Sequence, residues 1–142
     1  MTRRLAALLT AGLVLSACGT QSPASAMRAW VTQSAFHTAV ATLRSDAGRA
    51  VTALRDASTA PNVLHTVCGV LDVDALSANA SLPTPDDQAT ALLGRAYGAF
   101  GSGAAICYTA ASSAAARVRA VAEVQRAARI LAEASARVAA AS

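Results

Sequence analysis

Residues 84–110 read TPDDQATALLGRAYGAFGSGAAICYTA, and this stretch decides the fold class. Thr84 stands where an N-cap hydroxyl would accept from free backbone amides, and Pro85 suits the first helical position. Asp86 and Asp87 add negative charge at the positive end of the helix dipole. Downstream, Leu93, Ala96, Phe100, Gly103, Cys107 and Ala110 recur at steps of three and four, the period of one helix face.

The same pattern extends outward in both directions. Phe36, Val40, Leu43, Ala47, Val51 and Leu54 predict a helix from about Met27 to Ala57, with Arg44, Arg49 and Arg55 off the apolar line. Pro61 opens a second helix carrying Val63, Leu64, Val67, Cys68 and Leu71, less regular through Asp72–Ala80. Ser112 or Ser113 marks a short link. The last helix, Ala114 to Ala140, turns Val118, Val121, Ala128, Leu131 and Val138 inward. On its outer side Arg119/Glu123, Arg129/Glu133 and Glu133/Arg137 sit at i,i+4, each pair worth about 0.2–0.5 kcal/mol.

Composition agrees. The chain has 142 residues, enough for one domain, and 54% are hydrophobic, more than half of those alanine. Aromatics are only 4%, and alanine favours helix while strand formers are sparse. The expectation is an all-α protein, an antiparallel bundle of about four helices over residues 27–142.

Residues 1–20, MTRRLAALLTAGLVLSACGT, are of another kind. Arg3 and Arg4 precede an uncharged apolar run from Leu5 to Leu15, followed by small Ser16 and Ala17. This is the layout of a signal peptide, residues 1–17, with an apolar run too short to span a bilayer permanently. Leu15-Ser16-Ala17-Cys18 resembles the lipobox of bacterial lipoproteins. That resemblance implies a diacylglycerol on the Cys18 thiol, cleavage just before Cys18, and a further acyl chain such as palmitate on the new amine. Two or three chains anchor stably where one does not. Residues 18–26 then form a lipidated tether that holds the domain within roughly 30 Å of the membrane. The expected address is the extracytoplasmic face of the cell membrane. The stretches LPTPDD and AYGAFGSGAAICY resemble small helical envelope proteins of high-GC Gram-positive bacteria, a resemblance that carries no activity with it.

All twelve basic residues are arginine, against eight acidic residues, a net charge of +4. Loss of Arg3 and Arg4 leaves ten against eight, about +2, so nucleic acid is not an expected partner. The membrane through Cys18, and an envelope protein or cell-wall polymer, are.

With Cys18 assigned to lipid, Cys68 and Cys107 remain as a pair, and outside the membrane such a pair becomes a disulfide. A tight straight hairpin would set Cys68 opposite a residue near Arg95, an offset of roughly 18 Å at helical rise. A disulfide needs Cα atoms within about 7 Å. The bond therefore predicts an excursion within Asp72–Pro83 that runs back along the bundle.

Other chemistry-bearing residues form no recognisable constellation. His37, His65, Tyr97 and Tyr108 could ligate haem or metal, but neither histidine has a partner at i+3 or i+4. Asp72, Asp74, Asp86 and Asp87 lack the EF-hand spacing, and read as caps and loop solvation. Gly94, Gly98, Gly101 and Gly103 lie inside a helix, where they allow close helix approach and cradle no phosphate. Residues 96–116 carry no charge, yet Phe100 and Ile106 are their only strongly apolar members, a poor spanning segment. No nucleophile, base and orienting group assemble, so no catalytic residue, metal or cofactor is expected. The function expected is a non-catalytic interaction module. The alternative is a carrier of a small apolar ligand or lipid in the bundle core. Trp30 could stand exposed near the tether or belong to the core.

Overall fold

Helix α1 (Pro23–Gln33) starts where Ser22 can cap it: the Ser22 hydroxyl accepts from the Ser25 amide at 3.2 Å, and Pro23 opens the first turn. The computed structural model describes residues 21–142, apart from the Ser112 side chain. The signal peptide 1–17 and Cys18 lie outside the described residues. Residues 23–26 of the expected tether are therefore helical, and the first helix begins four residues before Met27.

That helix does not run on to Ala57. It ends at Ser34, whose amide and hydroxyl both donate to the Trp30 carbonyl, at 2.9 and 2.7 Å. Ala35 then turns the chain in the left-handed region at φ 50°, and α2 (Phe36–Arg55) follows. The turn brings the rings of Trp30 and Phe36 to 5.4 Å, a tilted aromatic pair. A side chain at φ 50° costs roughly 1–2 kcal/mol, and the apolar packing on both sides of the bend offsets it.

Helix α3 (Pro61–Asn79) and helix α4 (Asp87–Thr109) meet a 3-10 turn (Ala110–Ser112), and α5 (Ala114–Ala141) closes the chain. Packing joins α2 to α3, α3 to α4, α4 to α5 and α5 back to α2, a four-helix bundle with α1 laid across α2 and α5. The all-helical fold is thus an antiparallel bundle, with one short helix more than the sequence pattern announces.

Cys68 and Cys107 form a disulfide, with Cα atoms 5.8 Å apart. The excursion predicted for Asp72–Pro83 takes another form. Residues 72–79 stay helical, and the offset is absorbed by the Ala80–Asp86 link. That link runs forward along the first turns of α4: Leu82 reaches Gly94, and the Thr84 amide donates to the Thr90 hydroxyl at 2.9 Å. α4 consequently begins beyond the end of α3, and the register shifts by the length of the link.

The start of α4 differs too. Asp86, not Thr84, is the N-cap; its carboxylate accepts from the Ala89 amide at 2.7 Å. Thr84 is buried instead, donating from its hydroxyl to the Asp86 carbonyl at 2.7 Å. Asp86 wins the cap because the same carboxylate also pairs with Arg137 of α5. Arg137 is thus drawn to Asp86, and Glu123 pairs with Arg126; neither belongs to the i,i+4 pairs expected along α5.

The core follows the predicted stripes on α2, α3 and α4. Phe36, Val40, Leu43, Ala47 and Leu54, then Leu64, Cys68 and Leu71, then Leu93, Ala96, Phe100, Gly103 and Cys107 of α4 with Ala110 just beyond it are buried. On α5 the buried line is Ala120, Val124, Ala127, Leu131, Ala134 and Val138, so Leu131 and Val138 hold while Val118 is 69% exposed. Alanine fills the α4–α5 seam because Gly103 admits the α5 backbone. A Cβ there would stand 2.9 Å from the Val124 Cγ2 and 3.2 Å from its amide nitrogen.

Candidate functional site

Large side chains such as Phe100, Met27, Leu43, Leu71, Leu93 and Leu131 are fully buried in the bundle interior. The surface offers two places with chemical character.

The first is the outer side of α3 with the adjoining part of α4. Pro61 starts α3 so that Leu64, Cys68, Leu71 and Ala75 face inward, which turns Val63, Val70, Val73 and Leu76 to the outside. Val73 and Leu76 are 60% and 63% exposed. Beside them a shallow cleft of about 150 Å³ is lined by Leu76, Asn79, Tyr97 and the glycines 94, 98 and 101. Of the four α4 glycines only Gly103 serves close helix approach; Gly98 has no neighbour within 4 Å of where a Cβ would be. Towards the far end of the face His65 stacks on Tyr108 with ring centres 4.3 Å apart, and Tyr108 is half exposed.

The second is a groove of about 470 Å³ between α1, α2 and the end of α5. Val31, Phe36, Val40, Val138 and Ala139 supply its apolar lining, and Arg28, His37 and Arg44 stand along it with Thr32, Ser135 and Ser142. Arg28 donates to the Ser142 backbone oxygen at 2.7 Å. No Asp or Glu side chain lines the groove. Trp30 lies at its edge through Phe36; it is half-buried, and its indole N–H donates to the Ser81 carbonyl at 3.0 Å.

The residues weighed as ligands stay apart. His37 is exposed on α2, and His65 is taken up with Tyr108. Tyr97 is buried, which pushes its phenol up to about 12 and keeps it protonated as a packing group. Asp72 lies against Gly101, Asp86 caps α4, and Asp87 sits in the first turn. Among the described residues no three His, Cys, Asp or Glu side chains converge to hold a metal ion. No described helix is long and apolar enough to cross a membrane.

Two residues matter that the sequence pattern did not single out. Arg117 of α5 donates to the carbonyls of Asp56 at 2.8 Å, Thr59 at 3.3 Å and Ala111 at 3.2 Å, clamping both links at that end. Asp46 is buried on α2, paired with Arg49, and its Oδ2 has no hydrogen-bond partner. The sequence signal for Asp46 was available: it falls between inward Leu43 and Ala47, on the edge of the buried stripe. No protein family, curated protein or solved structure matches this chain.

Proposed function

We propose that the protein is a membrane-anchored lipoprotein of the cell envelope, working as a non-catalytic interaction module. Arg3, Arg4, the apolar run and Cys18 support anchoring through a thioether-linked lipid on the extracytoplasmic face. With α1 beginning at Pro23, the stretch 18–22 alone separates the lipid from the first helix. At about 3.3–3.6 Å per residue that chain spans less than roughly 20 Å, so the bundle works against the membrane that holds it.

The observation that carries the reading is the uncovered apolar strip of Val70, Val73 and Leu76, whose Leu76 borders the glycine-lined cleft. Single exposed apolar residues are ordinary, whereas a run of them along one helix marks a contact surface. An apolar ridge beside a shallow cleft suits a protein helix of the envelope better than a hydroxylated wall polymer.

Crosslinking in intact cells tests it with three forms: wild type, Cys18→Ser, and Val73→Asp/Leu76→Asp. The wild type should yield a discrete adduct that the strip variant loses at unchanged melting temperature. Cys18→Ser should leave the membrane fraction. An adduct indifferent to the strip variant defeats the docking surface. A mature N-terminus other than acylated Cys18, read by mass spectrometry, defeats the anchor.

The carrier reading is favoured by one observation, the groove along Phe36, Val40 and Val138. This groove lies at the surface between helices, whereas the sequence pointed to a ligand in the bundle core.

A further inference from the structure

We infer that the groove between α1, α2 and α5 binds an anionic phospholipid, with part of an acyl chain on its apolar floor and the phosphate at its arginines; this rests on the carrier reading and is independent of the anchor. The volume, about 470 Å³, is in the range of sites that take small organic ligands. Val31 and Ala139 supply the apolar surface open to solvent there, and the buried Phe36, Val40 and Val138 close the groove beneath them.

The polar side of the groove is weighted towards positive charge. Arg28, Arg44 and His37 line it, and no acidic side chain does. The salt bridges among the described residues are Arg49–Asp46, Arg126–Glu123 and Arg137–Asp86, so Arg44 is held by no carboxylate side chain, while Arg28 is engaged by the main-chain oxygen of Ser142, the last residue of the sequence. Arg28 gives one N–H to the Ser142 oxygen and keeps others in its fork. Guanidinium forks match phosphate oxygens in pairs, and beside an apolar floor they gain from reduced hydration. Two other clefts carry arginine: Arg49 in one pairs with Asp46, and in the one at Leu54 and Val118 a single guanidinium, that of Arg55, stands beside Arg117, which is occupied by three backbone carbonyls. A purely apolar ligand would use the floor and leave the arginines to water. A soluble anion would use the arginines and leave the floor exposed. An anionic lipid uses both.

The chain from Gln21 onward contains the whole core described above, and it lacks both Cys18 and the apolar leader, so it is the form to titrate. The probes are vesicles of phosphatidylglycerol and of phosphatidylcholine. Cosedimentation reads binding, and the emission of Trp30, the single tryptophan, reads occupancy beside Phe36. Phosphatidylglycerol should bind and shift the emission. Arg28→Glu/Arg44→Glu should weaken binding at least roughly tenfold. Arg129→Glu, an exposed charge reversal outside the groove, should weaken it far less. Equal binding to both vesicles, no binding to either, or equal losses from Arg129→Glu and the groove variant would each overturn the inference. Lipid extraction of the protein from its own cells separates the two readings. A neutral lipid in the extract keeps the carrier and removes the anionic ligand; an extract free of lipid removes the carrier itself.

Discussion

Asp46 is a buried carboxylate with one oxygen left without a hydrogen-bond partner. Burial first, and then the neighbouring Asp74 carboxyl, push its carboxyl above the ordinary 3.8, against the pull of the Arg49 guanidinium. The native state therefore binds this proton more tightly than the unfolded chain does. The stability it contributes is complete below 3.8 and is lost as pH rises through the raised value. Asp46→Asn, which does not titrate, should gain on the wild type as pH climbs towards neutrality; parallel denaturant melts of the two would show Asp46 unperturbed. Glycines give a second contrast at this scale. Gly103→Ala drives a Cβ into the Val124 side chain and amide and should cost about 1–3 kcal/mol. Gly98→Ala, with open space at its Cβ, should stabilise the helix by about 0.5–1 kcal/mol. The two melting curves should move in opposite directions.

Among the elements, α4 is the most heavily tied. Its Cys107 is bonded to Cys68 of α3 across a sequence separation of 39. In the chain-entropy account a closed loop of that size stabilises by about 4 kcal/mol. Cys68→Ala/Cys107→Ala should lose that amount in urea unfolding, with little change in helical circular dichroism at zero denaturant. At the other end of α4, Asp86 caps the helix and receives Arg137 from α5. The Arg137 guanidinium and the Ala89 amide hold its carboxyl below the ordinary 3.8. Its contribution is therefore present above 3.8 and lost as pH falls through the lowered value. Asp86→Asn keeps an oxygen for the cap and loses the charge, whereas Asp86→Ala loses both. Melting temperatures should fall in the order wild type, Asn, Ala, and the Asn variant should lack the acid-side decline that Asp86 causes.

Across the whole molecule, burial is uneven. α1 places only Met27 fully inside, while α4 buries nine residues. Local opening is easiest where few apolar contacts must be broken. Amides of α1 should exchange with solvent well before those of α4 and α5, and protection of α1 equal to that of α4 would contradict this. Phospholipid in the adjoining groove should slow exchange in α1 selectively, since Arg28 and Val31 line it. The sequence by itself determined the helical class, most of three inward stripes and the pairing of the two bundle cysteines. Bulky apolar residues at a 3.6 period have one way to leave water, and the Cys68–Cys107 pair is what remains once Cys18 is set aside. Tertiary structure alone decided the bend at Ala35, the forward run of Ala80–Asp86, the cap at Asp86 and the stripe on α5. Ala35 is neither glycine nor proline, and the packing of Trp30 on Phe36 across the bend comes with its conformation. Asp86 is preferred over Thr84 because Arg137 arrives from 51 residues away. In α5, alanines are abundant on every side and carry little signal for inside or outside. The close approach of Gly103 to Val124 selects which of them form the core.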